Sequence, residues 1–385
     1  MKANTISQVT KIWLRIFGMW PDKSCVLLRR LFWFVMLVVE QILQYRYVIM
    51  RYHLLEFSEI MNVLSSVMTY TVFLIKVVIF WYKQRTFNRI LTMMAIDLGK
   101  SSSTKFSMFA TMYNVKLSQR FANMTVIIYS TAVTFFSFSI VIKRVNDDTA
   151  SNVSTRLLIL EMDLPFDTSQ RFVYESVIIV QFLYLLLCAD ANGLLNALLI
   201  NLVLHASGQI NILRKSLMEI FTKKGESSPN QLMIKKLIRK HQKIIIFSEQ
   251  IEDLYSYIAM VLFVSDTVIT CCLGVTIVAS IGQPDAWKSI LRNLMFYFVM
   301  NMEAFIFCFA GEYLSAKSKS IGDAAYDSLW YESGSRDSRS ILFLIMRSQN
   351  QLTITIGKIM NLSLERFSSI IKASGSYISV LLAMY

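Results

Sequence analysis

The chain has 385 residues, 55% of them hydrophobic and only 17% charged, with 39 Lys and Arg against 26 Asp and Glu for a formal charge of +13. Soluble proteins carry about 25% charged residues, and the mean hydropathy here is +0.48, so a string of soluble domains is excluded in favour of a polytopic helical membrane protein. The positive charge reads as basic loops held at the cytoplasmic face and not as a nucleic-acid surface, since no basic stretch is interleaved with aromatics.

The first thirty residues hold Lys2, Lys11, Arg15, Lys23, Arg29 and Arg30 but no uninterrupted apolar core of a signal peptide. The first long apolar run, "LFWFVMLVVEQILQYRYVIM", is then a spanning helix that serves as its own insertion signal. A span needs about 20 mostly apolar residues. Seven stretches qualify, at about 31–50, 60–82, 121–142, 173–204, 257–281, 290–314 and 363–385. All four prolines (Pro21, Pro165, Pro229, Pro284) fall outside these runs, where they break no helix.

Lys and Arg crowd the segments 83–120 and 205–256, while the segment 143–172 carries Asp147, Asp148, Glu161, Asp163 and Asp167. The basic segments belong inside, so the N-terminus is expected in the cytoplasm and the seventh span is expected to end outside. That orientation is opposite to a G-protein-coupled receptor. In the acidic outer segment, Asn152 opens an "NVS" sequon and is a candidate glycosylation site. The fourth span is too long for one crossing, and "QLMIKKLIRKHQKIIIFSEQIEDLYSYI" reads as an amphipathic helix running into the fifth. The expected fold is all-α: one seven-helix domain over 1–385, with a cytoplasmic anchor built from 205–256 and 315–362.

Enzyme chemistry lacks its parts. The histidines His53, His205 and His241 are far apart, and no HExxH, GxSxG, Walker or GxGxxG motif occurs. No cofactor and no metal are expected. Glu40, Lys76, Asp190, Asp266, Glu303 and Lys372 lie within spans, where each must face protein or water; interhelical pairing and a role in gating or permeation are both open. In the last span Lys372, Ser376, Ser379 and Ala383 share one helical face. A small, polar stripe of this kind serves either close helix packing or the wall of a pore shared by several subunits.

From Ala325 to Met384 the sequence resembles the insect odorant receptors, in the seven-transmembrane insect chemoreceptor superfamily. The similarity is carried by "AYDSLWYE", "LIMRSQNQLTITIGKIMNLSLERF" and "SGSYISVLLAM", with "CFAGEYL" and "HASGQINIL" earlier. The terminal Met384 and the Leu362-Ser363-Leu364-Glu365 stretch favour the odorant over the gustatory branch. The resemblance implies the odorant-binding subunit of a tetrameric, odorant-gated, non-selective cation channel. It would be formed with the shared odorant receptor co-receptor in the plasma membrane of olfactory sensory neuron dendrites. The gate would map to Val380, Ala383 and Met384, while the stripe places Ser376, Ser379 and Ala383 innermost.

The family's odorant pocket lies between the second, third, fourth and sixth spans. Carried over, it implies Val67 and Tyr70, then Thr134, Ser137 and Phe138, then Ile178, Gln181 and Phe182, and finally Tyr297 and Met300. Its ligands would be volatile small molecules. The alternatives are a gustatory-type chemoreceptor of the same superfamily and a seven-helix receptor signalling through a cytosolic transducer; a transporter would show paired repeats with broken helices.

Overall fold

Apolar residues recurring every three to four positions over long stretches dictate helices, and in the computed structural model ten of them hold most of the described residues. The structure describes residues 6–21, 25–101, 105–150, 158–166, 170–220, 231–281, 286–332 and 334–384. In chain order the helices are α1 (Gln8–Ile16), α2 (Val26–Arg51), α3 (Phe57–Tyr82), α4 (Gln84–Ser101), α5 (Lys105–Ala150), α6 (Arg171–Ile220), α7 (Gln231–Ala279), α8 (Ala286–Tyr326), α9 (Ser335–Gln349) and α10 (Leu364–Met384). Each expected span coincides with one of them, α2, α3, α5, α6, α7, α8 and α10, with 257–281 and 363–385 running one or two residues past the helix ends.

Among the described residues, five helices are long and apolar enough to cross a membrane, in α3, α5, α6, α7 and α8. In α2 the apolar run is diluted by Glu40, Gln41, Gln44 and Arg46. One side of α2 is nevertheless open and greasy, with Leu31, Phe32, Val39 and Ile42 all exposed. Such a surface suits lipid. With 50 and 49 residues, α6 and α7 would each reach about 75 Å at 1.5 Å per residue, against a hydrocarbon core of about 30 Å. Their excess length extends past one crossing, to the end of the bundle where α4 packs on α7. There Asp97 of α4 meets His205 of α6 (3.4 Å) and Lys243 of α7. Burial opposes its charge, but hydrogen bonds from His205 and Lys243 hold the Asp97 carboxyl below its ordinary value.

Two small elements were not legible beforehand. Helix α1 is clasped to the bundle by aromatics: Phe17 stacks on Trp33 at 4.1 Å, and the Trp33 and Trp81 indoles donate to the carbonyls of Ile16 (2.9 Å) and Phe17 (3.0 Å). A hairpin of β1 (Thr355–Ile356) and β2 (Met360–Asn361) precedes α10, pairing Thr355 with Asn361 and Ile356 with Met360. Gly357 and Lys358 take positive φ (58° and 62°) at its turn, the twist that a tight hairpin needs. The Gly357 amide donates to the Ser256 carbonyl (3.0 Å), and the Lys358 amide to the Ser256 hydroxyl (3.0 Å). The hairpin is thereby fastened to α7. Helix α9, expected as a packed helix before the last span, buries Ile341, Leu344 and Ser348.

Candidate functional site

A cavity of about 110 Å³ lies between α3, α5, α6 and α8. Each helix turns a narrow stripe towards it. Helix α3 supplies Ser66, Thr69, Tyr70, Phe73 and Lys76; α5 supplies Tyr129, Ala132, Val133 and Phe136. Helix α6 supplies Leu185, Cys188, Ala189 and Asn192, and α8 supplies Arg292, Met295, Phe296, Val299, Met300 and Glu303. Within each stripe the spacing is i, i+3, i+4, i+7, the signature of one helical face. Most of the wall is aromatic, aliphatic or thioether, with Phe136 edge-on to Phe296 at 6.3 Å.

The roof is the loop segment around Ile159 and Leu160, between α5 and α6. The side-chain oxygen of Gln181 accepts from the amides of Ile159 (3.1 Å) and Leu160 (3.4 Å), and its amide nitrogen donates to the Leu160 carbonyl at 3.1 Å. Gln181 therefore hangs Leu160 over the cavity. Above it opens a second, polar chamber of about 530 Å³, lined by Glu56, Glu59, Asn62, Glu161 and Arg51 among others. Ser66, Phe136, Leu160 and Arg292 border both spaces. The Arg292 guanidinium lies 5.9 Å from the Phe136 ring, within cation–π range, so this pair forms part of the partition. At the floor Lys76 and Glu303 form an ion pair completed by Asn192.

Of the residues expected in the pocket, Tyr70 and Met300 line this cavity. Val67 is buried one turn outward and borders the upper chamber. Ile178 and Phe182 pack around Ile140, Leu160 and Leu185. They share the cavity stripe of α6 with Gln181, but one to two turns too far out. On α5 the error is rotational: Phe138 is 63% exposed, Thr134 is exposed with its hydroxyl donating to the Ser130 carbonyl (2.8 Å), and Ser137 is buried off the cavity. Tyr297 packs instead beside Ile269, Leu273 and Met68. Phe73, Tyr129, Ala132, Phe136, Phe296 and Val299 were missed. The available signal was the common stripe they form with Lys76 and Glu303, whose place inside spans already required an enclosed neighbourhood.

On α10, Ser376, Ser379 and Val380 are exposed on the subunit surface, and the two hydroxyls donate back to the carbonyls of Lys372 (3.1 Å) and Gly375 (3.0 Å). Ala383 and Met384 continue the same helix. Asn152 lies outside the described residues.

The family model described as 7tm Odorant receptor matches residues 56–375. Odorant receptor 10 of Aedes albopictus is 28% identical over 160 residues, which is 42% of this chain and 42% of that protein. Odorant receptor 22c of Drosophila melanogaster is 26% identical over 145 residues, 38% and 35% of the two chains. The chain thus spans less than half the length of these curated relatives in each match. The solved structure of the insect olfactory receptor OR5 from Machilis hrabei superposes with a TM-score of 0.76 at 16% identity, covering 98% of this chain and 97% of that one. A second structure of the same receptor, in complex with eugenol, gives 0.75 over the same coverage.

Proposed function

Since the chain belongs to the 7tm odorant receptor family, we infer that it is the odorant-binding subunit of an odorant-gated, non-selective cation channel. It works as one seven-helix unit over its whole length, with the family's shared co-receptor as its partner. It sits in the plasma membrane of olfactory sensory neuron dendrites, its N-terminus in the cytoplasm and α10 ending outside. Basic segments beneath the membrane and the acidic outer loop support that orientation. Membership sets it among chemoreceptors and not among enzymes.

One observation carries the ligand reading: four helices each give one stripe to a single, largely apolar cavity roofed by Leu160. Its volume is of the order of the ~150 Å³ cavity that holds a benzene ring, which suits a small volatile molecule. Aromatic and Met side chains supply contact area and adaptable shape. The OR5 receptor has been solved in complex with eugenol. Ala132→Trp would fill the space without touching a polar partner. Agonist potency in cells expressing the chain with its co-receptor should fall by at least about tenfold, equivalent to the loss of roughly one buried side chain's contacts, with surface labelling unchanged. Superimposable dose–response curves would remove this cavity as the odorant site.

The pore reading rests on α10. An apolar constriction closes a channel by dewetting, and the exposed Val380 with Ala383 and Met384 supplies apolar groups at the outer end of the helix. Ser376 and Ser379 lie below them on the same face. Val380→Ser should ease wetting and raise the resting cation leak modestly, because partner subunits contribute the rest of the ring. Whole-cell leak conductance at matched surface levels reads this out; no change would return α10 to packing.

A further inference from the structure

At the cavity floor three helices bring polar groups together in a wall that is otherwise greasy. Lys76 of α3 is 2% exposed and Glu303 of α8 is 1% exposed. The Lys76 ammonium donates to Glu303 Oε1 and to Asn192 Oδ1 (3.2 Å), and the Asn192 amide donates to Glu303 Oε2 at 3.0 Å. The ring is closed, yet not saturated. An ammonium has three N–H donors and two are spent here among the described residues, while each carboxylate oxygen keeps a further lone pair. Of the nearby hydroxyls, Thr69 donates to the Ser65 carbonyl (2.8 Å), while Tyr129 accepts from Asn196 (3.1 Å) and keeps its own hydrogen.

Stability alone does not call for such a trio. A buried ion pair exchanged for apolar residues of similar volume is often neutral or stabilising, and ionised groups at membrane depth are costly. All three residues border the cavity, so the leftover donor and lone pairs are within reach of whatever occupies it. A hydroxyl matches both: its oxygen accepts from Lys76 Nζ, and its hydrogen is donated to the Glu303 carboxylate. A carbonyl oxygen satisfies only the donor. A hydrocarbon satisfies neither.

We propose that Lys76, Asn192 and Glu303 select ligands by their head group, making this a receptor for small volatile alcohols or phenols on an apolar body. The assignment rests on the reading of the cavity as the odorant site and names its ligand class. The probes are two matched series, hexanol, hexanal and hexane, and benzyl alcohol, benzaldehyde and toluene, applied to cells expressing the full chain with its co-receptor. Potency should fall from alcohol to aldehyde to hydrocarbon, with alcohols ahead of hydrocarbons by about ten- to a hundredfold, the worth of a hydrogen bond to a charged group. The K76M/E303L double variant should collapse that spread, alcohol potency falling towards that of the hydrocarbons. If it fails to reach the surface, the isosteric Glu303→Gln serves instead and should narrow the alcohol–aldehyde gap.

Equal potency across a series in the wild type, a spread that survives in the variants, or silence to every probe would overturn the proposal. Ala132→Trp separates the two levels. If it abolishes responses while the spread survives K76M/E303L, the cavity stands and the trio falls; if it changes nothing, the cavity itself falls.

Discussion

Lys76→Met alone should cost about 3–5 kcal/mol, because removing one partner of a buried pair leaves the other as an uncompensated charge. Glu303 is 1% exposed, so bulk solvent does little to screen it. Asp266 shares the cost: it is also 1% exposed, neither carboxylate oxygen has a hydrogen-bond partner among the described residues, and it interacts with the same ammonium. Against a typical total stability of about 5–15 kcal/mol, that loss should remove most of the protein from the cell surface. Adding Glu303→Leu should recover much of it, since an apolar pair of similar volume no longer strands a charge. Surface biotinylation and melting of the detergent-solubilised protein would check both steps. A single variant with wild-type melting would contradict the buried network.

Gly311→Ala should destabilise by about 1–3 kcal/mol, the range for forcing atoms into a packed site. A Cβ at Gly311 would stand 2.6 Å from Leu362 Cβ and 2.7 Å from the Leu362 carbonyl oxygen. That backbone cannot easily retreat, because the Leu362 amide is bonded to the Ile354 carbonyl at 2.9 Å and the side chain is 2% exposed. Gly99→Ala is the contrasting case. Gly99 lies in α4 with nothing within 4 Å of an added Cβ, so the substitution should be neutral or stabilising by up to about 1 kcal/mol. Equal melting temperatures for the two variants would show that α8 and the hairpin are not in the contact described.

The helices were legible because their signal is long: the apolar run 60–82 becomes α3 with little change, and the basic amphipathic stretch from Gln231 does run unbroken into the fifth span. The hairpin was not, since two strands of two residues are too short to show alternation. The α1 clasp depends on indole bonds to carbonyls that no periodicity announces. For the cavity, depth was readable on α5 and azimuth was not, while on α6 the face was right and the depth one to two turns out. A span that meets lipid on one side and protein on the other is apolar all round, so Phe136 at the wall and Phe138 at the surface look alike. Two residues apart they point about 200° apart, at 3.6 residues per turn. Tyr70 reaches the cavity from the face that its carried-over spacing with Val67 implied, while Val67 borders the chamber above.

The fastening of the hairpin to α7 makes α10 a lever with a fixed fulcrum. Besides the two amide bonds to Ser256, Thr355 donates to Glu252 at 2.8 Å and meets the Ser256 hydroxyl at 3.1 Å, so the foot of α10 travels with α7. Higher up, Ile378 lies against bare backbone at Gly274, where an added Cβ would come within 2.2 Å of its Cδ1; that contact is a smooth bearing with no side chain to interlock. From Leu364 to Val380 the arm is about 24 Å long, and a tilt of about 5° at the foot would carry Val380 sideways by about 2 Å. Displacements too small to disturb the packing around Leu362 are thereby magnified about 24 Å away, at Val380.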